Sequence, residues 1–299
     1  MSHSDTTVYT DADADLSHLE GRTVAIVGYG NQGRAQALSL RDSGVENVVV
    51  GNRADASRDR AEDDGFFVCT MAEAADCTDV VFLLVPDEVQ PEVYRESIEP
   101  GLDSGDVLNF ASGYNITYGF IEPPADVDVV MVAPRMIGTT VRELYEEGNG
   151  APALLAVEQD ASGEATEVAL ALAGGIGCTR AGVTDSDFES ETVTDPMTEQ
   201  ALLPVFVSAL RAKYETGVAP ETVLMEQYLS REISHIWEQA ATQGPIEQLT
   251  LHSQTSQYGQ LRFSRNCRRE SPAFRAGMNR RHQLKTPKSA GLGALGTYQ

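Results

Sequence analysis

Lysine is almost missing from this chain. Only Lys213, Lys285 and Lys288 occur among 299 residues, and the formal net charge is −23. A surface this acidic repels polyphosphate, so nucleic acid is excluded as a partner. It suits a salt-rich interior, where screening weakens self-repulsion, and a salt-adapted protein is expected. Long apolar runs are missing too. No stretch reaches the roughly 18 apolar residues of a membrane span, so no membrane partner is expected. Cysteine is sparse: Cys69, Cys77, Cys178 and Cys267 lack metal-type spacing. Reduced thiols in a cytoplasmic protein are the expectation. The opening "MSHSDTTVYTDADADL" is polar and acidic, unlike a secretory signal peptide, which again favours the cytoplasm.

Basic residues return at the end. From Arg262 to Gln299 there are seven Arg and two Lys against one acid, Glu270. No helical or strand period runs through this stretch. It reads as a disordered basic tail; an arm lying on the acidic body and a degraded element are the alternatives.

What is present is a run of buried-strand signals. "TVAIVG" (23–28), "VENVVVGN" (45–52), "DVVFLLVP" (79–86), "DVLNFAS" (106–112), "DVVMVAP" (128–134) and "APALLAVEQ" (151–159) are apolar and mostly β-branched. Helical segments stand between several of them, such as 33–44 and 88–102. This rhythm predicts an α/β fold with a doubly wound, Rossmann-type parallel sheet. Near Val183 the pattern turns helical. The expected organisation is a nucleotide-binding domain over 1–183, an all-helical domain over 184–261 and the tail over 262–299.

The first strand runs into "GYGNQG", which sets Gly28, Gly30 and Gly33 as G-x-G-x-x-G before a helix. Such glycines allow a tight turn, close approach of a pyrophosphate and close helix–strand packing. Tyr29 and Gln32 lie within the same turn and are assigned to cofactor binding with it. After the second strand an NAD reader carries an acid; here Asn52 stands near that place, followed by Arg53, Ser57 and Arg58. Guanidinium and hydroxyl groups hold a 2′-phosphate, so NADP(H) is favoured over NAD. Ordinary surface charge is the competing account of these arginines. Val85, Pro86 and Asp87 end the third main strand, where nicotinamide pockets form. Trp237 reads as core or interface.

Asp195 and Glu199 in "TDPMTEQ" stand one helical turn apart. Two readings are open. Carboxylates at this spacing can hold a divalent ion, and Pro196 would equally make Asp195 a helix N-cap.

The segments "VAIVGYGNQGRAQALSLRDSG", "LLVPDEVQPEVY", "MVAP", "YEEGNGAPALLAVEQDASGEA" and "GIGCTRAGV", in this order, resemble ketol-acid reductoisomerase of the short, class I form. The match runs from about residue 8 to Glu199, resumes at 219–227 and 253–259, and ends at Gly259. The resemblance implies Mg²⁺-dependent alkyl migration in 2-acetolactate-type keto acids, then reduction by NADPH, in valine and isoleucine biosynthesis. It implies a homodimer, or a higher oligomer, with an active site shared across chains. It places metal ligands at Asp195 and Glu199 and, from the other chain, at Glu226, and a substrate-contacting serine at Ser253.

Three positions depart from the family pattern. Ser112 stands for the histidine of "AHG", Arg135 for the lysine of "PKGPGH", and Ser230 for a fourth carboxylate. The catalytic set expected here is therefore Arg135, Glu199, Ser253 and Ser112. Serine cannot trade protons near neutral pH as imidazole can. A diverged reductase of keto acids or imines without migration, and a non-catalytic paralogue pairing with a complete member, remain alternatives.

Overall fold

The computed structural model describes residues 6–198, 202–225, 229–230 and 232–243. Glu199, Glu226, Ser253, Cys267 and the basic tail lie outside the described residues.

Nine strands form one sheet: β1 (Val8–Tyr9), β2 (Thr23–Val27), β3 (Asn47–Gly51), β4 (Phe67–Cys69), β5 (Val80–Leu83), β6 (Val107–Phe110), β7 (Asp128–Pro134), β8 (Ala153–Gln159) and β9 (Val183–Asp185). Their order is β1-β9-β8-β7-β6-β5-β2-β3-β4. Residues alternate between two cores, as a two-residue side-chain period demands. Along β5, Val80 and Phe82 join one cluster with Leu40, Val168 and Leu172. Val81 and Leu83 join the other with Tyr94, Ile98 and Phe188. Burial on both faces explains why these strands are apolar throughout rather than alternating.

Two features differ from the expectation. β8 runs antiparallel to β7, pairing Pro134 with Ala153. The intervening helix α6 (Gly138–Glu146) therefore returns the chain to the same end of the sheet instead of crossing it. Apolar periodicity carries no direction, so the sequence did not reveal this. β1, β4 and β9 also escaped notice; with two or three residues each, they are too short to show a period.

The chain divides into two compact units, Met1–Ala201 and Leu202–Gln299. The expected boundary at 183 falls inside the sheet, because Val183 pairs with Ala153 on β8 and with Tyr9 on β1. Helix α8 (Phe188–Met197) stays with the first unit: Phe188 is buried and meets Phe110 edge-on at 6.3 Å. The second unit contains α9 (Leu203–Glu215), α10 (Pro220–Leu224) and α11 (Glu232–Gln243). Leu203, Phe206 and Val207 are exposed, and Trp237 is 62% exposed, so it is not a core residue of the described chain.

Candidate active site

β2 and β5 are adjacent and parallel, and their chain connections leave in opposite directions along the sheet. A crevice opens beyond the carboxyl ends of strands at such a point. Gly28 leaves β2 with φ +97°, and a Cβ there would stand 2.8 Å from the Val85 side chain. A Cβ on Gly33 would stand 1.9 Å from the Gly28 carbonyl oxygen, so α1 (Asn31–Asp42) packs closer than any side chain permits. Gly30 is different: a Cβ there would meet nothing within 4 Å. No side chain caps the start of α1. An open glycine face below an uncapped helix N-terminus fits a pyrophosphate.

Two neighbours of the turn serve the scaffold instead. The Tyr29 ring is fully buried, its hydroxyl donates to Asp64 at 2.9 Å, and its backbone N–H donates to Asn52 at 3.1 Å. Burial and the Asp64 carboxylate push its phenol well above the ordinary range. Its ring is therefore held inside the fold. Gln32 donates to the Met136 carbonyl at 2.8 Å and ties the turn to the loop after β7.

At the ribose end, Asp55 organises the loop. It caps α2 (Ala56–Asp63) by accepting from the N–H groups of Ser57 and Arg58, and it accepts from Arg53 Nε at 2.7 Å. The side chain of Arg53 is 81% exposed and Ser57 is half-buried, so both stay at the loop mouth. Arg58 is drawn along its own helix, to Glu62 at 3.1 Å and the Val68 carbonyl at 3.3 Å. It is the weakest of the three candidates for a 2′-phosphate.

The other half of the crevice comes from the ends of β5, β6 and β7. Val85 backs Gly28, and Pro86 is exposed beside it. The backbone carbonyl of Asp87 accepts from Asn115, and Asn115 also donates to Gln90, which donates to the Val85 carbonyl. Gln90 and Asn115 are both buried. They hold the loop that presents Asp87, and sequence reading missed both. Ser112 donates to Asp87 Oδ2 at 3.5 Å, so this serine faces a carboxylate.

Asp195 is not an N-cap. The cap of α8 is Asp187, eight positions earlier, which accepts from Ser190. Asp195 lies in the last turns of the helix, and Pro196 follows it there. The sequence signal misled because Pro at a first position and Pro near a helix end look alike without the preceding turns. Asp195 instead meets Arg135 at 2.7 Å, and the same guanidinium reaches Glu191 at 3.0 Å. Glu191 is 1% exposed and accepts from the Gly113 N–H at 2.7 Å. Burial pushes its carboxyl above the usual range, and the nearby Asp195 adds to this against the pull of Arg135. Sequence reading missed Glu191; its place one turn before Asp195 was the available signal.

Among the described residues, no three His, Cys, Asp or Glu side chains converge as a metal site. The donor chemistry of Asp195, a carboxylate, still suits a hard ion such as Mg²⁺, while Glu199 lies outside the described residues. The charge of Asp195 is already met by Arg135.

The profile described as acetohydroxy acid isomeroreductase, NADPH-binding domain, matches residues 18–182. A ketol-acid reductoisomerase (NADP(+)) of Methanopyrus kandleri is 45% identical over 259 residues, which is 85% of this chain and 79% of that protein. The chain belongs to the ketol-acid reductoisomerase family. An NADH-preferring ketol-acid reductoisomerase from an uncultured archean shares the structure with a TM-score of 0.80 at 37% identity, over 93% of this chain and 87% of that one. A pyrroline-5-carboxylate reductase from Coxiella burnetii, at 18% identity and a TM-score of 0.62, covers 89% of this chain and 99% of its own and shows the fold alone.

Proposed function

We propose that the protein converts 2-acetolactate-type acids to 2,3-dihydroxy acids with NADPH, as its Methanopyrus relative's name describes for ketol acids. The observation that supports this most is convergence. Gly28 of the glycine turn abuts Val85 after β5, Gln32 of the same turn donates to the Met136 carbonyl after β7, and Ser112 after β6 meets Asp87. The first half of the reaction moves an alkyl group with its electron pair from C2 to C3, while the C2 hydroxyl proton is lost and the C3 oxygen gains one. The second half adds hydride to the new C2 ketone and a proton to its oxygen. NADPH supplies the hydride; Mg²⁺, when bound, polarises the carbonyl and hydroxyl oxygens.

The chain's own groups do the rest. The α1 N-terminus and Gly30 seat the pyrophosphate, and Arg53 with Ser57 reads the 2′-phosphate. Arg135 attracts the substrate carboxylate. Ser112, whose O–H is given to Asp87, accepts a hydrogen bond from a substrate hydroxyl. Asp195 with Glu199 would hold the divalent ion, to which the family pattern adds Glu226 from the other chain of the dimer, and Ser253 would contact substrate. A homodimer accords with the apolar side chains that α9 exposes. The reduced thiols, the cytoplasm as compartment and valine and isoleucine biosynthesis complete the reading.

NADPH oxidation is measured with 2-acetolactate and magnesium, and separately with the already migrated 3-hydroxy-2-keto acid. Turnover of both supports the proposal. Turnover of the migrated acid alone overturns the isomerase half and leaves a reductase; turnover of neither overturns it entirely.

A further inference from the structure

The Arg135 guanidinium bridges two carboxylates at the place where the proposed metal ligand Asp195 lies. Its two terminal nitrogens contact Glu191 Oε1 at 3.0 Å and Asp195 Oδ1 at 2.7 Å. The pairing is built in. Glu191 is buried and held from its other oxygen by the Gly113 N–H, so it cannot retreat into water. The Arg135 side chain is only 27% exposed and leaves directly from the end of β7. A lysine, with one compact ammonium on a flexible stem, would not fork across both carboxylates in this way.

We propose that Arg135 is an internal counter-ion that competes with the divalent cation for Asp195, so that Mg²⁺ binds only by displacing one arm of the guanidinium. This rests on Asp195 being a metal ligand. Glu191 then acts as the parking place: it keeps the displaced arginine in the crevice, positive and ready for an acidic substrate. The consequence is weak divalent binding in the absence of substrate. Shortening the fork frees Asp195 and tightens it. Charge-assisted hydrogen bonds of this kind set the expected gain at about ten- to a hundredfold.

The test is Mg²⁺ calorimetry, repeated with Mn²⁺ by electron paramagnetic resonance, on the NADPH-loaded full chain and on Arg135→Lys, Arg135→Gln and Asp195→Asn. The proposal expects both Arg135 variants to bind metal about tenfold or more tighter than the unaltered chain. Equal or weaker binding by variants that keep their melting cooperativity overturns it. Should those variants fail to fold, a crystal of the unaltered protein soaked in Mn²⁺ decides: Arg135 off Asp195 and still on Glu191 supports the exchange, and an unmoved Arg135 overturns it. Asp195→Asn separates the two claims. If it leaves metal binding unchanged, Asp195 is no ligand and the underlying site assignment fails, whatever the Arg135 variants do; if it abolishes binding, that assignment stands and the Arg135 results judge the competition alone.

Discussion

Asp64 shows how much one side chain can hold at the residue scale. It accepts from Arg34 Nε at 2.7 Å and Nη2 at 3.0 Å, and from the Tyr29 hydroxyl at 2.9 Å. The Arg34 hydrogen bonds draw its carboxyl below the ordinary range against the opposing effect of burial. A depressed folded pKa stabilises above the unfolded value, near ~4, and that stability is lost as pH falls through the folded one. Asp64→Asn should cost about 1–2 kcal/mol at neutral pH, discounted for the half-exposed Arg34. It should also flatten the acid limb of stability against pH; urea midpoints between neutral pH and acid check both. Gly33→Ala is expected to be worse. The added Cβ has 1.9 Å to the Gly28 oxygen, so α1 must move away from the turn. A loss of about 1–3 kcal/mol or more from overpacking should appear in thermal melts, with weaker NADPH binding by fluorescence.

At the scale of the element, α8 is the part on which the candidate site depends. Its N-terminal end lies on the loop after β6. A Cβ at Gly113 would stand 2.3 Å from the Phe188 carbonyl oxygen and 2.7 Å from Thr192 Oγ1. Thr192 and Thr117 meet through their hydroxyls at 3.1 Å. Gly113→Ala should therefore tilt α8 and carry Glu191 and Asp195 away from Arg135. The expected result is a KM for the keto acid raised about tenfold or more with NADPH affinity unchanged, since α1 and α2 lie elsewhere on the sheet. Initial-rate kinetics with cofactor titration checks this; an equal loss of both would mean that the sheet itself had been disturbed.

For the whole molecule, the excess of acid is the dominant feature. A net charge of −23 on 299 residues repels itself in the folded state more than in the expanded chain. Monovalent salt shortens the Debye length from about 10 Å at 0.1 M to about 3 Å at 1 M, which relieves this repulsion. The melting temperature is expected to rise by several degrees between these concentrations, measured in potassium chloride by calorimetry. The exposed ion pairs oppose the trend weakly, because each contributes little in water. A flat or falling melting temperature would remove the case for salt adaptation.

The sequence by itself determined the sheet, the glycine turn and the acidic surface. Each rests on local chemistry: unbroken β-branched runs, glycines at fixed spacing, and counted charge. The same local signals placed Arg53 and Ser57 at the nucleotide loop and Ser112 and Arg135 at strand ends. The tertiary structure alone decided what those side chains meet. Arg58 turned to Glu62, Tyr29 turned inward, Asp195 became a partner of Arg135 in the last turn of its helix, and β8 reversed direction. Partners of these groups lie up to 60 positions away in the chain, as with Arg135 and Asp195. No periodicity reaches that far, because charge pairing and strand direction are settled by packing between elements and not by the residues within one.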